Sequence, residues 1–598
     1  MFRQTQRGTF VTTQQKDKFT PELRILAASL LSMAVILLWA KIFGPKPMPQ
    51  PPATKPGISA LAPTPADGGK PDSSVAALPT GKAMPSATSV APAAAVSAKS
   101  DTQERSVVIA NDLYRVELSN RGAVVKSWQL KKYTDDAKPP RILDVVHPQA
   151  AQQIGGWPFA VVLDDADWQA AANAGLYQMN ADAAEVASPT DVDFSWSNGH
   201  LEVTKHFHFD HSYVAHVDVS AKIDGKPVRA GIAWLGGFGD VTVANPANWD
   251  SVQTYYSESG KISTFLPKKL DGIDKWGNGL WQGGKDFTGL EDRYFTAAFL
   301  PGNGAAPGTL ETRYWKASET TQIAGQETQV PVSQVATAAS GPITSLRVFV
   351  GPKDYDDLKK MTPPLHGLVN FGWLEFIADP LFHGLKWLHT YIPNWGWAIV
   401  VLTLIINMLL FPLRISSYRT TLKMQRVGPE IKAIQDKFKK YSMRDPRKAE
   451  MNKEVMAVYQ REGINPVGGC FQMFLQMPIW FGLNTALRYA IEMRHARWFG
   501  WITDLSARDP YYVLPVMMGL SMYLVSKMTP MTSTDPQQQM MMKIMPVTMA
   551  GIFMISPISS GLAVYILTSS VVGIGQQWYL NRTHPVPAPA KITRGKKS

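Results

Sequence analysis

Residues 544–581 read IMPVTMAGIFMISPISSGLAVYILTSSVVGIGQQWYLN, thirty-eight positions in a row without a charged side chain. A helix crosses a hydrocarbon core ~30 Å thick with about 20 residues, so the run is too long for one crossing. Ser556-Pro557-Ile558-Ser559-Ser560-Gly561 is a turn signal that divides it into two legs. The first leg is short after Lys543, which predicts a span beginning near Met540 with the lysine reaching back to the surface. Three more uncharged stretches lie upstream, at 390–413, 463–487 and 511–526. The C-terminal third is therefore expected to hold five spans, at about 395–415, 464–488, 511–527, 540–557 and 561–581.

These spans are not uniformly apolar. Asn407, Gln472, Gln476, Asn484, Gln576 and Gln577 sit inside them. A polar side chain facing lipid is costly, so such residues are expected to face a bundle interior or a wet cavity. A sixth apolar run lies at 23–43, followed by Trp39, Ile42 and Phe43 without a small-x-small cleavage pattern. It reads as a retained anchor rather than a cleaved signal peptide.

The slightly negative mean hydropathy and the 18% of charged residues suggest a soluble protein, but they average a polar half and an apolar half. The formal charge of +12 is just as uneven. Arg3, Arg7, Lys16, Lys18 and Arg24 precede or open the first run. Segment 414–462 has thirteen Lys/Arg against six Asp/Glu, and Arg582, Lys591, Arg594, Lys596 and Lys597 follow the last run. Six spans put both termini on one side, and the positive-inside rule makes that side cytoplasmic. Topology thus accounts for the charge without DNA, although basic cytoplasmic patches could still meet ribosomal RNA or anionic lipid.

Residues 44–104 are rich in Pro, Ala, Ser and Gly and read as a linker. From 105 to about 355 short alternating runs predict an all-β, antiparallel sandwich on the exported side. Examples are Tyr114, Val116 and Leu118, and Ala215, Val217 and Val219 against Val214, His216 and Asp218. The single cysteine, Cys470, excludes an intrachain disulfide. His206-Phe207-His208-Phe209-Asp210-His211 offers His206, His208 and Asp210 on one strand face, a spacing that a metal could use. The simpler reading buries Phe207 and Phe209 and leaves the histidines wet. No metal, cofactor or nucleotide site is expected.

Residues 370–392 mix aromatics with a few charges directly before a span and predict an amphipathic helix in the membrane interface. From 416 to 463 the chain is charged and helical in period. Ile431, Ile434 and Phe438 form one apolar stripe and Met451, Val455 and Tyr459 a second. Ser442 to Pro446 breaks the run, so a cytoplasmic hairpin of two helices is expected, with Arg426, Lys432, Lys437, Lys439 and Lys440 on its basic faces.

A set of motifs then stands out in order: Asn394-Trp395-Gly396, Phe411-Pro412-Leu413, Asn465-Pro466-Val467-Gly468-Gly469-Cys470, Gln476-Met477-Pro478-Ile479, Asp509-Pro510-Tyr511-Tyr512, Thr534-Asp535-Pro536 and Gln576-Gln577. With them the chain resembles the YidC/Oxa/Alb membrane protein insertase family, in its Gram-negative layout. The resemblance is specific over about 372–582. It implies an anchor helix, a periplasmic β-supersandwich and a five-helix core with a cytoplasmic hairpin and a basic tail at 583–598. It also implies a bacterial inner-membrane location and a hydrophilic groove open to cytoplasm and lipid. The implied partners are nascent membrane proteins, the ribosome, the Sec translocon with its accessory subunits, the signal recognition particle receptor and the bilayer. The implied role is insertion and folding of membrane proteins, alone or with the Sec translocon, and not enzymatic catalysis. A membrane-anchored carbohydrate-active enzyme or carbohydrate-binding protein is the alternative.

One departure is marked. Aligning Trp395-Gly396 and Pro412-Leu413 puts Asn407 where many family members carry a buried arginine. Thr403, Asn407 and Arg414 fall within about 40° of one another on a straight helix, so neutral amides sit at mid-depth with a cation ~10 Å nearer the cytoplasm. A kink at Pro412 could spoil that alignment. Gln472 and Gln476 are one turn apart on the next span and could line the facing wall. The candidate groove residues are Thr403, Asn407, Arg414, Gln472, Gln476, Asn484, Gln576 and Gln577. The competing reading is interhelical hydrogen bonding that only holds the bundle together. Arg488 is expected to reach the exported surface, and the methionines of 528–549 to pack a span or contact apolar clients.

Overall fold

The computed structural model describes residues 97–585, apart from 182, 241–251, 271–280, 324–325, 340, 442–444, 465–467, 530–535 and 557. The expected anchor at 23–43, the linker to residue 96 and the tail beyond 585 lie outside the described residues.

Three sheets build the N-terminal part. A ten-stranded sheet has Phe295–Pro301, Ile343–Pro352, Val214–Ile223, Leu201–Phe209 and Thr190–Ser197 as successive neighbours. One five-stranded sheet is led by Ser106–Ala110, Tyr114–Ser119 and Val124–Thr134. The other is built on the long hairpin Leu310–Ile323 and Gln326–Ala339. Pairing is antiparallel except between Ser106–Ala110 and Glu185–Ala187. Alternation decides the faces. On Leu201–Phe209 the odd positions point inward and bury Leu201, Val203, Phe207 and Phe209 in one core with Trp128, Phe159, Trp234 and Phe299.

His206 and His208 point outward and pair across the strands with Asp193 at 2.6 Å and Asp191 at 2.8 Å, as the simpler reading of that motif expects. The inward position 205 holds a surprise. Lys205 is buried, and its ammonium donates to the carbonyls of Gly122, Ala123 and Phe159 at 2.8, 2.8 and 2.7 Å. A buried charge is tolerable only when its donors are satisfied, and here all three are. Burial still holds the amine well below the ordinary lysine range.

Among the described residues seven α-helices follow. They are α1 (Glu375–Tyr391), α2 (Trp395–Lys437), α3 (Arg447–Arg461), α4 (Gly468–Tyr489), α5 (Val513–Met528), α6 (Pro536–Ile555) and α7 (Ser560–Thr583). Among the described residues α2 is the one helix long and apolar enough to cross a membrane by length and composition; α5 and 544–555 of α6 are shorter apolar helices. The span expected to end near 415 and the first helix of the hairpin expected from 416 are one continuous helix, because α2 runs unbroken through Pro412 and Pro429. Its last turns pack on α3 through Val427, Ile431, Ile434, Val455, Val458 and Tyr459, so most of the two apolar stripes meet. Phe438 is buried but lies outside that cluster. Lys437–Glu454 at 2.8 Å and the forked Arg461–Glu430 contact at 2.6 Å close the hairpin at its two ends.

Helix α1 buries Ala378, Phe382, Leu385 and Leu388 and exposes Phe376, Trp387 and Tyr391. It therefore carries two apolar faces, one for the helices behind it and one for its surroundings. The β sheets and the helices share a continuous core. Tyr255, Phe287, Leu300 and Phe349 pack with Leu368, Phe371 and Phe382. Polar ties reinforce it. Lys386 donates to Asp356 at 2.6 Å and pairs with Glu492 at 3.0 Å, and Arg293 Nε donates to the Arg488 carbonyl at 2.9 Å. Arg488 thus lies against the β sheets, at the end of α4 remote from the hairpin.

Candidate functional site: a polar seam between two helices

Helix α2 is started by Asn394, whose side-chain oxygen accepts from the Trp397 N–H while its amide donates to the Arg497 and Trp498 carbonyls. Gly396 follows, and a Cβ there would lie 2.1 Å from the Trp498 ring, so only glycine admits this crossing. The helix is thereby pinned to the 490–508 segment, and its polar residues sit at depths fixed by the rise per residue. Asn407 is ~18 Å and Arg414 ~28 Å along the axis from Trp395.

Thr403 is fully buried and donates back to the Ile399 carbonyl at 2.7 Å, so it is satisfied within its own helix and does not line a wall. Asn407 is 8% exposed. Its amide donates to the Thr403 carbonyl at 2.8 Å and meets the Ser569 hydroxyl of α7 at 3.4 Å. The Asn407 carbonyl accepts from Gln576 Nε2 at 3.2 Å, and Gln576 Oε1 accepts from Arg414 Nη1 at 2.9 Å. Arg414 Nη2 donates to the Gly573 carbonyl at 3.2 Å. A Cβ at Gly573 would stand 3.4 Å from that guanidinium, an ordinary packing distance. Asn407, Gln576 and Arg414 therefore form one hydrogen-bonded string, and the alignment survives Pro412.

Arg414 is half-buried, and no carboxylate among the described residues pairs with it. A guanidinium carries five N–H donors, and the contacts named use two. Further along, Tyr418 and Gln577 both donate to Asn581 Oδ1, at 2.8 and 2.9 Å, and Asn581 Nδ2 donates to the Met528 carbonyl at 3.0 Å. Gln577 is thus buried in a separate network that ties α2, α5 and α7. Gln476 of α4 is half-buried and donates to the Tyr565 hydroxyl at 3.3 Å. Gln472 lies on α4, but its side chain is outside the described residues. Asn484 is half-buried about one and a half turns from the α4 end that meets the β sheets and has no hydrogen bond to the string among the described residues. It is not brought to the other amides.

Sequence reading missed Tyr418, Tyr565, Ser569 and Asn581. For Tyr565 and Ser569 the signal was the spacing 565, 569, 573 and 576, which puts these positions on one face of α7. On the hairpin, Arg426, Lys432, Lys437, Lys439 and Lys440 are all exposed, and Lys437 is engaged by Glu454.

Residues 387–587 match the family described as 60Kd inner membrane protein, and residues 106–384 match the YidC periplasmic domain. A membrane protein insertase YidC of Syntrophus aciditrophicus (strain SB) is 30% identical over 94% of this chain and 99% of its own. One from Geobacter metallireducens is 31% identical over 94% of this chain and 98% of its own. Among solved structures, an active YidC insertase with its first transmembrane domain resolved is 18% identical, with a TM-score of 0.33 over 82% of this chain and 96% of that one.

Proposed function

The chain belongs to the YidC family of membrane protein insertases, and from that premise we propose that the α2–α7 seam is where a client's polar segment is received. The protein is an inner-membrane insertase with a β-rich periplasmic domain, a helical C-terminal region and no catalytic chemistry. Moving a polar segment through lipid is opposed by dehydration of its backbone and charges. A polar notch part-way across shortens the dehydrated path, and burial of the client's own span at about 0.8 kcal/mol per CH₂ drives the rest.

The single observation that carries this reading is Arg414. It is a half-buried cation without a carboxylate, held by the side chain of Gln576 and the Gly573 carbonyl. Charges inside a membrane bundle mark substrate paths when no structural partner explains them. Here the cation stands two turns below the position that many relatives give to arginine, and Gln576 links it to Asn407. A client carboxylate entering from the cytoplasmic side meets Arg414 first and then the neutral amides. Gln476 and Tyr565 form part of the facing wall. Thr403, Gln577 and Asn484 take structural roles.

The termini and the α2–α3 hairpin are cytoplasmic in this reading. Exposed Arg426, Lys432, Lys439 and Lys440 suit ribosomal RNA or anionic headgroups. The Sec translocon and the signal recognition particle receptor are the further partners. The test is insertion of a client in bacteria depleted of their own insertase. Asn407→Leu weakens insertion and Asn407→Arg is tolerated; full activity of Asn407→Leu removes the polar notch at this depth. A photoreactive residue at 407 crosslinks to an arriving client.

A further inference from the structure

We propose that Asp136, His495 and Asp504 form a Zn²⁺ site that clasps the β domain to the periplasmic segment between α4 and α5. The three come from distant parts of the chain. Asp136 lies just past the strand Val124–Thr134, whereas His495 and Asp504 belong to 490–508. His495 Nε2 is 2.8 Å from Asp136 Oδ1 and 3.9 Å from Asp504 Oδ2, and one ligand atom from each residue lies within 4.8 Å of the others. Zinc bound tetrahedrally at ~2.0–2.2 Å sets neighbouring ligand atoms about 3.3 Å apart, between those two distances. Binding would part the His495–Asp136 pair by about half an ångström and draw Asp504 closer to His495 by a similar amount.

Each ligand is aimed by a second contact, as ligands in metal sites are. His495 Nδ1 lies 3.0 Å from the Thr134 hydroxyl. With Nδ1–H donating there, the Nε2 lone pair faces two carboxylates, an arrangement that a proton or a cation must bridge. Asp504 Oδ1 accepts from the Ser506 N–H and hydroxyl at 2.7 and 2.8 Å and from the Ala507 N–H at 3.3 Å, which leaves Oδ2 for the site.

The local charge favours a divalent ion. Arg494 faces the group, with its Nη2 2.5 Å from Asp240 and 3.8 Å from Asp136. The carboxylates of Asp136, Asp240 and Asp504 gather around the imidazole. Imidazole with two carboxylates is a donor set that zinc accepts, with water completing the fourth position. The side chains of Asp136 and His495 are about a third exposed, so water reaches them. The companion cluster His206, His208, Asp191 and Asp193 is partly exposed on the sheet surface and forms cross-strand pairs.

The experiment uses the full chain in detergent micelles with any affinity tag removed. Zn²⁺ alone is equilibrated at micromolar free concentration, and metal per chain is counted by mass spectrometry. His495 has φ +57°, a conformation that asparagine tolerates, so His495→Asn preserves the backbone. Asp504→Asn keeps its Oδ1 acceptor for Ser506. The wild type retains one more zinc than either variant, with apparent affinity weakened more than about tenfold in each. Co²⁺ in place of zinc gives tetrahedral visible bands that His495→Asn lacks. Equal zinc in all three proteins, or none held by the wild type, overturns the site and leaves a proton as the bridge.

Discussion

Replacing Arg414 by Gln removes the charge from the seam while keeping a donor within reach of Gln576. The structural cost is small. The substitution removes two hydrogen bonds, of 2.9 and 3.2 Å, and glutamine restores one of them. Interhelical polar contacts in membranes contribute about 0.6–2 kcal/mol each, so the bundle loses no more than ~2 kcal/mol. The functional cost differs by client. A carboxylate ~6 Å from the guanidinium, at an effective dielectric constant of about 20, gains roughly 2.8 kcal/mol. That is about a hundredfold in occupancy, since 1.4 kcal/mol is tenfold. A client with one acidic residue in its translocated segment is therefore expected to insert many-fold more slowly with Arg414→Gln. The same client with that residue changed to Asn inserts at a rate the substitution barely alters. Protease accessibility of the translocated segment, followed over time in insertase-depleted cells, reads both rates. Equal losses for the acidic and neutral clients would refute the electrostatic role and leave Arg414 as a structural tie between α2 and α7.

Three further outcomes follow from other parts of the fold. Arg494→Gln removes the 2.5 Å ion pair to Asp240, whose side chain is only 3% exposed, and is expected to destabilise the domain–core junction by about 1–3 kcal/mol; limited proteolysis of 490–508 reports it as faster cleavage. Glu430→Gln breaks an exposed pair and changes stability by less than about 1 kcal/mol, whereas Ile431→Ala removes a seam residue and costs about 2 kcal/mol or more; hydrogen exchange of α3 separates the two. Lys205 has its folded-state pKa held below the unfolded value, so the unfolded chain binds more protons between the two values and stability rises with pH across that window. Wild type measured against Lys205→Met by thermal unfolding should gain as pH climbs toward the ordinary lysine value near 10.4 and level off above it.

Much of the fold was legible because its signals are local. Alternation assigned Phe207 and Phe209 inward and His206 and His208 outward, and the strand obeys it. The apolar stripes of 424–459 foretold the hairpin seam, since residues three and four apart share a helix face whatever surrounds them. At 415, where a span is expected to give way to the hairpin, α2 simply continues. The composition changes there from apolar to charged, but a helix does not end where its environment changes, and Pro412 and Pro429 do not stop it. Lys205 was unreadable because three carbonyls from two remote turns make its burial tolerable.

The sequence by itself determined that uncharged runs of span length carry amides, Asn407 among them, and that the exported part is β-rich. Only the tertiary structure decided which amides matter. Burial and depth follow from periodicity, but a polar group's role depends on what stands opposite it. Gln576 reaches Arg414 and Asn407 across a helix pair, Gln577 turns into a separate knot with Asn581, and Asn484 is carried away toward the β sheets. Partners more than 150 residues away in the chain leave no periodic trace, and so the seam became visible only once α2 and α7 were packed together.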